Sequence, residues 1–400
     1  MRLTKPLFRV PAFANRQFVL LSISSFLFFS SFNMLIPELP AYLSSMGGEQ
    51  YIGLIISLFT LTAGLSRPFS GKLADRIGRV PVMLVGVVVC TSISLLYPLL
   101  ATIGGFLLLR FLHGFSTGFT PTGTSAYIAD VVPFQRRGEA LGLHSLFASL
   151  GMAAGPALGG WIAAHAPINV LFFSSAAVSG LSALLLTRLR ETLPEPQRMK
   201  WSFLKLRKDE IIERRVINPS IILMLAVFSF GTILTLIPEV SSHLGMKNKG
   251  LFFAVFTLSS LTIRLLAGRA SDRFGRVPVL QGATATMMVA MLTIAFADSV
   301  ATLMTGAVFF GFAIGMASPT VAAWTIDLAD ENHRGRALAT MYIALEAGIG
   351  LGALVSGWLY SGMPERFPLV FGISAFFSFV AFIYLYRIPR SQRLRTLLRS

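Results

Sequence analysis

Cysteine is nearly missing from this chain. Of 400 residues only Cys90 carries a thiol, which excludes an intramolecular disulfide and a cysteine metal cluster. Histidine is scarce too, and His113, His144, His165, His243 and His333 lack the spacing of a metal site. No P-loop or dinucleotide-binding glycine pattern occurs, which argues against direct ATP coupling. Charge is thin at 13% of residues, and acid is thinner, with 18 Asp and Glu against 34 Lys and Arg. Acids and histidines do not cluster at one depth, so the chain is expected not to be an enzyme and to hold no metal or cofactor.

What the chain has in excess is hydrocarbon. Hydrophobic residues make up 54% of it, and the mean hydropathy is +0.70. Apolar runs of about 20 residues, the length an α-helix needs to cross a bilayer, recur along almost the whole sequence. Twelve are read, at approximately 17–43, 51–71, 80–101, 104–128, 139–164, 168–188, 218–240, 249–268, 278–297, 300–326, 337–360 and 367–386. The fold class expected is therefore an all-α membrane protein of 12 transmembrane helices. No small-residue cleavage site follows a short apolar core, so no removable signal peptide is expected.

A net charge of +16 raises the possibility of nucleic acid, but the distribution of basic residues points to topology. Lys247, Lys249 and Arg366 fall on one side of the alternating spans, and Arg67, Arg110 and Arg264 lie inside spans. The other 28 of 34 Lys and Arg fall on the opposite side, which the positive-inside rule makes cytoplasmic, with both termini. No extramembrane fold is present to carry a nucleic-acid face. The largest polar stretch, 190–217, interleaves Trp201, Phe203, Leu204, Leu206, Ile211 and Ile212 with basic residues. It reads as a cytoplasmic linker with an amphipathic helix along the inner leaflet, or as a solvated connection. It divides the chain into six-span sets at 1–189 and 218–400.

The two sets repeat one another. "GKLADRIGRVPVML" begins at Gly71 and "GRASDRFGRVPVLQ" at Gly268; 268 minus 71 sets an offset of 197 residues. The same offset carries Arg67 onto Arg264, Asp75 onto Asp272, Gly114 onto Gly311, Gly118 onto Gly315, Asp130 onto Asp327, Arg137 onto Arg334 and Trp161 onto Trp358. A parallel repeat of this kind implies two pseudo-symmetric six-helix bundles about an axis along the membrane normal, with a cavity between them.

These residues resemble the major facilitator superfamily, over essentially the whole chain. Gly71, Asp75, Arg76, Gly78 and Arg79 match that family's loop motif between spans two and three, and Gly268, Asp272 and Arg273 belong to the second copy. The small residues are expected to form a short turn between closely approaching helix ends. Asp75 is then expected near the amino end of the helix beginning around Arg336, as a gating latch. Asp130, Arg137, Asp327 and Arg334 lie at the same membrane face and are expected to join the loop contacts. In span five, Gly142, Gly151, Gly155, Pro156, Gly159 and Gly160 reproduce the spacing that marks the drug/proton antiporter branch of the family. The resemblance implies a smooth, bent helix face that seals the cavity; ordinary small-residue packing is the simpler alternative.

In span four, Arg110 and Gly114 match the antiporter pattern R-x-x-Q-G, with His113 in place of Gln. An arginine within hydrocarbon requires a partner. Glu38 near the outer end of span one lies at a similar depth, so a Glu38–Arg110 pair is expected, and Glu239 is the corresponding acid of the second half. Glu346 lies near the bilayer midplane, where an acid is a proton or substrate site by default, with structural hydrogen bonding as the alternative. Asn33 is a further polar candidate there; His113 either titrates or makes a helix contact. By resemblance, the chain is expected to be a secondary transporter in the plasma membrane, a bacterial inner membrane if the source is bacterial. Its partners would be a small-molecule substrate, protons and the lipid bilayer, and it would act as a monomer. Proton-coupled efflux of small amphipathic compounds by alternating access is the leading expectation. Proton-coupled import of a nutrient such as a sugar, peptide or siderophore is the alternative.

Overall fold

A computed structural model describes residues 15–133, 136–204, 212–329 and 334–388. The side chains of Arg137 and Arg334 lie outside the described set, as do Leu206 and Ile211 of the linker. The described residues hold helices α1 (Arg16–Asn33), α2 (Leu39–Ser44), α3 (Ile52–Ile77), α4 (Arg79–Leu96), α5 (Ile103–Val131), α6 (Arg137–His165) and α7 (Ile168–Leu186). The second set is α8 (Ile217–His243), α9 (Leu251–Phe274), α10 (Arg276–Ala295), α11 (Val300–Leu328), α12 (Arg334–Tyr360) and α13 (Phe367–Arg387). All but α2 are at least 18 residues long, and there is no strand among the described residues. Nine are long and apolar enough to cross a membrane, and ten if the two pieces of α9 are counted as one span. The less apolar α1 and α5 carry, respectively, a run of serines and the Arg110–His113 pair.

Local chemistry sets the ends. Thr102 caps α5 by accepting from the Gly105 amide, and Ser299, one repeat later, caps α11 by accepting from the Thr302 amide. After α1 the chain makes a tight turn through Pro37 before α2, whereas Pro238 sits inside an unbroken α8. The α3–α4 and α9–α10 connections are each a single glycine, Gly78 at φ +120° and Gly275 at φ +88°. These two, in a region closed to most L residues, supply the turn. Gly71 and Gly268 do not: the helices run past them, and the expected turn there is corrected to the last glycine of each motif.

Within the first set α1 packs on α6 and α7, α3 on α5, and α4 on α5 and α7. The second set repeats this with α8 on α12 and α13, α9 on α11, and α10 on α11 and α13. Small hydroxyl residues line several of these seams. Ser24 meets Ser182 at 2.8 Å, Thr91 meets Ser179 at 2.7 Å and Thr232 meets Ser374 at 2.8 Å. Each pairing satisfies a polar group in the interior and lets two backbones come close. Gly151, Gly155 and Gly159 lie four residues apart, and their missing side chains admit the carbonyls of Phe26 and Ser30 on α1 and of Met34 just after it. Gly348 and Gly352 admit Met224 and Phe228 of α8 in the same way. Gly142 has open space around it and takes no part in that seam. The sets meet chiefly at two crossings, α3 with α12 and α6 with α9.

Candidate substrate cavity

Between the sets lies a cavity of about 1240 Å³. It reaches the exposed Asp75 and Arg76 at one end of the bundle and ends near Ile36, Ile56 and Arg110 at the other. Phenylalanines 29, 32, 59 and 230 form much of its apolar wall.

The far end is shut by backbone contact. At the α6–α9 crossing Gly250 packs on the Pro156 carbonyl, and Asn248 Nδ2 donates to the Ala157 carbonyl at 3.1 Å. Gly160 packs against Asn248. At the α3–α12 crossing Gly53 packs on the Ala353 carbonyl and on Gly357. Beside them Lys249 Nζ meets Glu38 Oε2 at 3.4 Å, joining the two sets.

That last contact corrects the expected Glu38–Arg110 pair. Arg110 is 1% exposed and uses other partners: its Nε donates to the Ile55 carbonyl at 2.9 Å and an Nη to the Tyr97 hydroxyl at 3.3 Å. Its guanidinium carbon lies 4.6 Å from the Phe59 ring centroid. The Tyr97 hydroxyl is also 3.1 Å from His113 Nδ1, whose Nε2 lies 3.3 Å from Cys90 Sγ. His113 is thus a fully buried member of a polar chain behind the cavity wall. Depth along two helices had matched Glu38 with Arg110, but the turn at Pro37 leaves Glu38 facing the second set.

Glu346 has the partner that Arg110 lacks. Its Oε1 accepts from an Arg67 Nη at 2.6 Å, with side-chain exposures of 9% and 14%. The bond ties α12 to α3 in the cavity wall, and the Arg67 guanidinium also lies 4.7 Å from the Tyr342 ring centroid. Gly64 gives Glu346 its space, since an added Cβ there would sit 3.3 Å from the Glu346 Cβ. Glu346 is about 18 Å along α12 from its start, at 1.5 Å per residue. In the sequence Arg67 is one of three arginines inside spans. The repeat that matched it to Arg264 was the available signal, and it carried no hint of the partner. Asn33 lines the cavity but spends its amide on the Phe29 carbonyl at 2.7 Å. Glu239 lies in α8, near Tyr360.

At the open end the repeated loops are built alike. Arg79 bonds Asp75 at 3.0 Å and Asp130 at 3.0 Å; Arg276 bonds Asp272 at 2.5 Å and Asp327 at 2.9 Å. Arg76 stacks over Phe203, and Arg273 over Phe274. In this conformation the Asp75 carboxylate is bound to Arg79, and Arg336 near the start of α12 is bound to Glu213. Glu191 accepts from the Arg79 and Val80 amides, both at 3.0 Å, and so caps α4. Neither Glu213 nor Glu191 stood out in the sequence, because both lie in the polar linker, where acids are ordinary.

Comparison with known proteins agrees with this architecture. The sequence model of the Major Facilitator Superfamily matches residues 21–247 and 219–399. The staphylopine export protein of Staphylococcus aureus is 22% identical over 351 residues, covering 85% of this chain and 88% of that one. The quinolone resistance protein NorA of the same species is 23% identical over 364 residues, covering 86% and 90%. The crystal structure of the nucleoside transporter NupG superposes with a TM-score of 0.75 at 14% identity, over 94% of this chain and 100% of that one. The helical bundle, the repeat and the family match converge on one statement: this chain is a multi-pass membrane transporter belonging to the Major Facilitator Superfamily.

Proposed function

We propose that the protein exports small amphipathic compounds from the cytoplasm in exchange for protons, by alternating access, with both termini cytoplasmic. The observation that carries this reading is the Arg67–Glu346 bond, a charge pair spanning the two sets inside the cavity. A proton and Arg67 are alternative partners for the same carboxylate. Protonation removes the charge that Arg67 binds, weakens the bridge and frees the sets to rock about the cavity. In the conformation seen here the cavity reaches the basic end of the bundle, the state that loads from the cytoplasm under the positive-inside assignment. The contact of Gly250 with Pro156, from the antiporter-like stretch of α6, seals the opposite end. The names of two relatives, an export protein and a resistance protein, support export over import.

The experiment uses inverted membrane vesicles with an acidified lumen. Substrate is expected to accumulate inside, and adding substrate to acid-loaded vesicles is expected to release protons. Accumulation only when protons and substrate move in the same direction would replace this reading with nutrient import.

A further inference from the structure

The charges in the cavity wall do not balance, and the imbalance has a position. Away from its charged rim of Lys72, Asp75, Arg76 and Arg336, it carries Arg67, Arg110 and Glu346. Arg67 and Glu346 compensate each other at 2.6 Å. Arg110 has a carbonyl, a phenol and an aromatic face, but no carboxylate partner among the described residues. A guanidinium held 1% exposed without a counter-charge is costly in a low-dielectric interior. The negative charge it needs can come from what the cavity binds.

A second demand comes from Glu346. If proton and substrate exchange there, the bound substrate must disfavour the proton, and a cationic group on the free side of that carboxylate does so. The distance between the two demands follows from α3. Arg110 sits at the level of Ile55 and Phe59, and Glu346 at the level of Gly64. At 1.5 Å per residue these levels are about 8–14 Å apart. Between them the wall is mainly the apolar surface of Phe32, Phe59, Ile56 and Ile349, with Thr60 turning its hydroxyl to the Ile56 carbonyl.

We infer that the substrate is an amphoteric organic molecule. It places an anionic group at Arg110 and a protonated amine at Glu346, at opposite ends of an apolar body. The amine half of this assignment rests on the exchange reading above; the anionic half rests on Arg110 alone.

The test compares three two-ring probes on the purified full-length protein in detergent: 4′-(aminomethyl)biphenyl-4-carboxylate, biphenyl-4-carboxylate and biphenyl-4-ylmethylammonium. A ligand selective for the folded state raises the melting temperature with its concentration, which yields an affinity. The amphoteric probe is expected to bind at least about tenfold more tightly than either singly charged one, a preference of about 1.4 kcal/mol. Arg110→Gln is expected to remove its advantage over the ammonium probe, and Glu346→Gln its advantage over the carboxylate probe. If either variant fails to fold, the ranking of the three probes on the native protein decides. An ammonium probe that binds as tightly as the amphoteric one overturns the proposal, and so does an advantage that survives both substitutions. The measurement contains no gradient. A failure of vesicle export therefore leaves the ranking unaffected, and a failed ranking leaves export unaffected.

Discussion

The two crossings that hold the halves together follow one pattern, and two of the changes between them bear on function. Applying the 197-residue offset, Gly53 becomes Gly250, Gly357 is matched by Gly160, and Arg67 becomes Arg264. At both crossings a glycine packs against the backbone of the partner helix at the corresponding level. Those two are Ala353 against Pro156, and Glu346 against Ser149. Where Arg67 meets a carboxylate at 2.6 Å, Arg264 reaches, among the described residues, the Ser149 hydroxyl at 3.4 Å and no carboxylate. Close packing needs glycine at both places, so it is duplicated. An acid is not needed to build a crossing, so its presence at one of them points to a task beyond architecture.

The largest effect that follows is the loss of that acid. A buried ion pair broken from one side leaves the other charge unpaired, which costs about 3–5 kcal/mol. If about 3 kcal/mol of this appears as lost coupling, Glu346→Gln lowers proton-driven transport roughly 100-fold. Ser149→Ala, at the matching position, should stay within about twofold, since a single neutral hydrogen bond contributes about 1 kcal/mol or less. Uptake of a fluorescent substrate into inverted vesicles measures both. Equal losses would make the two crossings functionally equivalent and remove the reason to single out Glu346. Ser149→Glu sharpens the comparison from the other side: a second ion pair, with Arg264, should raise the melting temperature and slow turnover, because both crossings would then be tied.

The unequal legibility of these features in the sequence has a physical basis. Many span positions were readable because hydrocarbon thickness fixes a length and a composition; the expected run at 139–164 and the helix Arg137–His165 differ by two residues or fewer at each end, whereas the run expected at 17–43 is divided, with α1 ending at Asn33 and α2 starting at Leu39. The depth of Glu346 was readable for the same reason. Its partner was not, because Arg67 lies 279 residues away and meets it only through the packing of α3 on α12. The expected Glu38–Arg110 pair went wrong because depth fixes one coordinate of a side chain and leaves its direction around the helix free. Pro37 ends α1 and turns Glu38 toward Lys249. The loop motif misled in a smaller way: Lys72 to Ile77 are good enough helix formers to continue α3, so the turn waits for Gly78.

A middle-sized effect is expected from the backbone contacts that shut the cavity. Gly250→Ala and Gly53→Ala each place a methyl group against partner backbone, where neither side can yield by rotating a side chain. Overpacking of this kind costs about 1–3 kcal/mol. Both variants should therefore populate the state in which these crossings part, read as increased labelling of a cysteine placed at Ile36 in a background lacking Cys90. Pro156→Ala makes the α6–α9 crossing resemble its twin. It restores an amide that proline lacks, so α6 should straighten and stiffen. A several-fold slower transport with unchanged labelling would assign Pro156 to movement, whereas faster labelling would assign it to the seal.

The smallest effect belongs to the loops that first revealed the repeat. Asp75 and Asp272 are 72% and 68% exposed at their side chains, and each binds an arginine four residues on. Exposed pairs of that spacing contribute about 0.3–0.5 kcal/mol. Asp75→Asn and Asp272→Asn should accordingly leave the melting temperature almost unchanged and unchanged relative to each other. Transport is where they should part. Arg336 at the start of α12 is held by Glu213 while the cavity reaches this end, and Asp75 lies on the same rim. When the rim closes, Asp75 is expected to approach that helix start, where a carboxylate is favoured by the helix dipole and an amide is not. An Asp75→Asn variant slowed several-fold more than Asp272→Asn, at equal stability, would locate the latch in the closed form of this rim. Equal rates in the two variants would reduce both motifs to turn and topology signals.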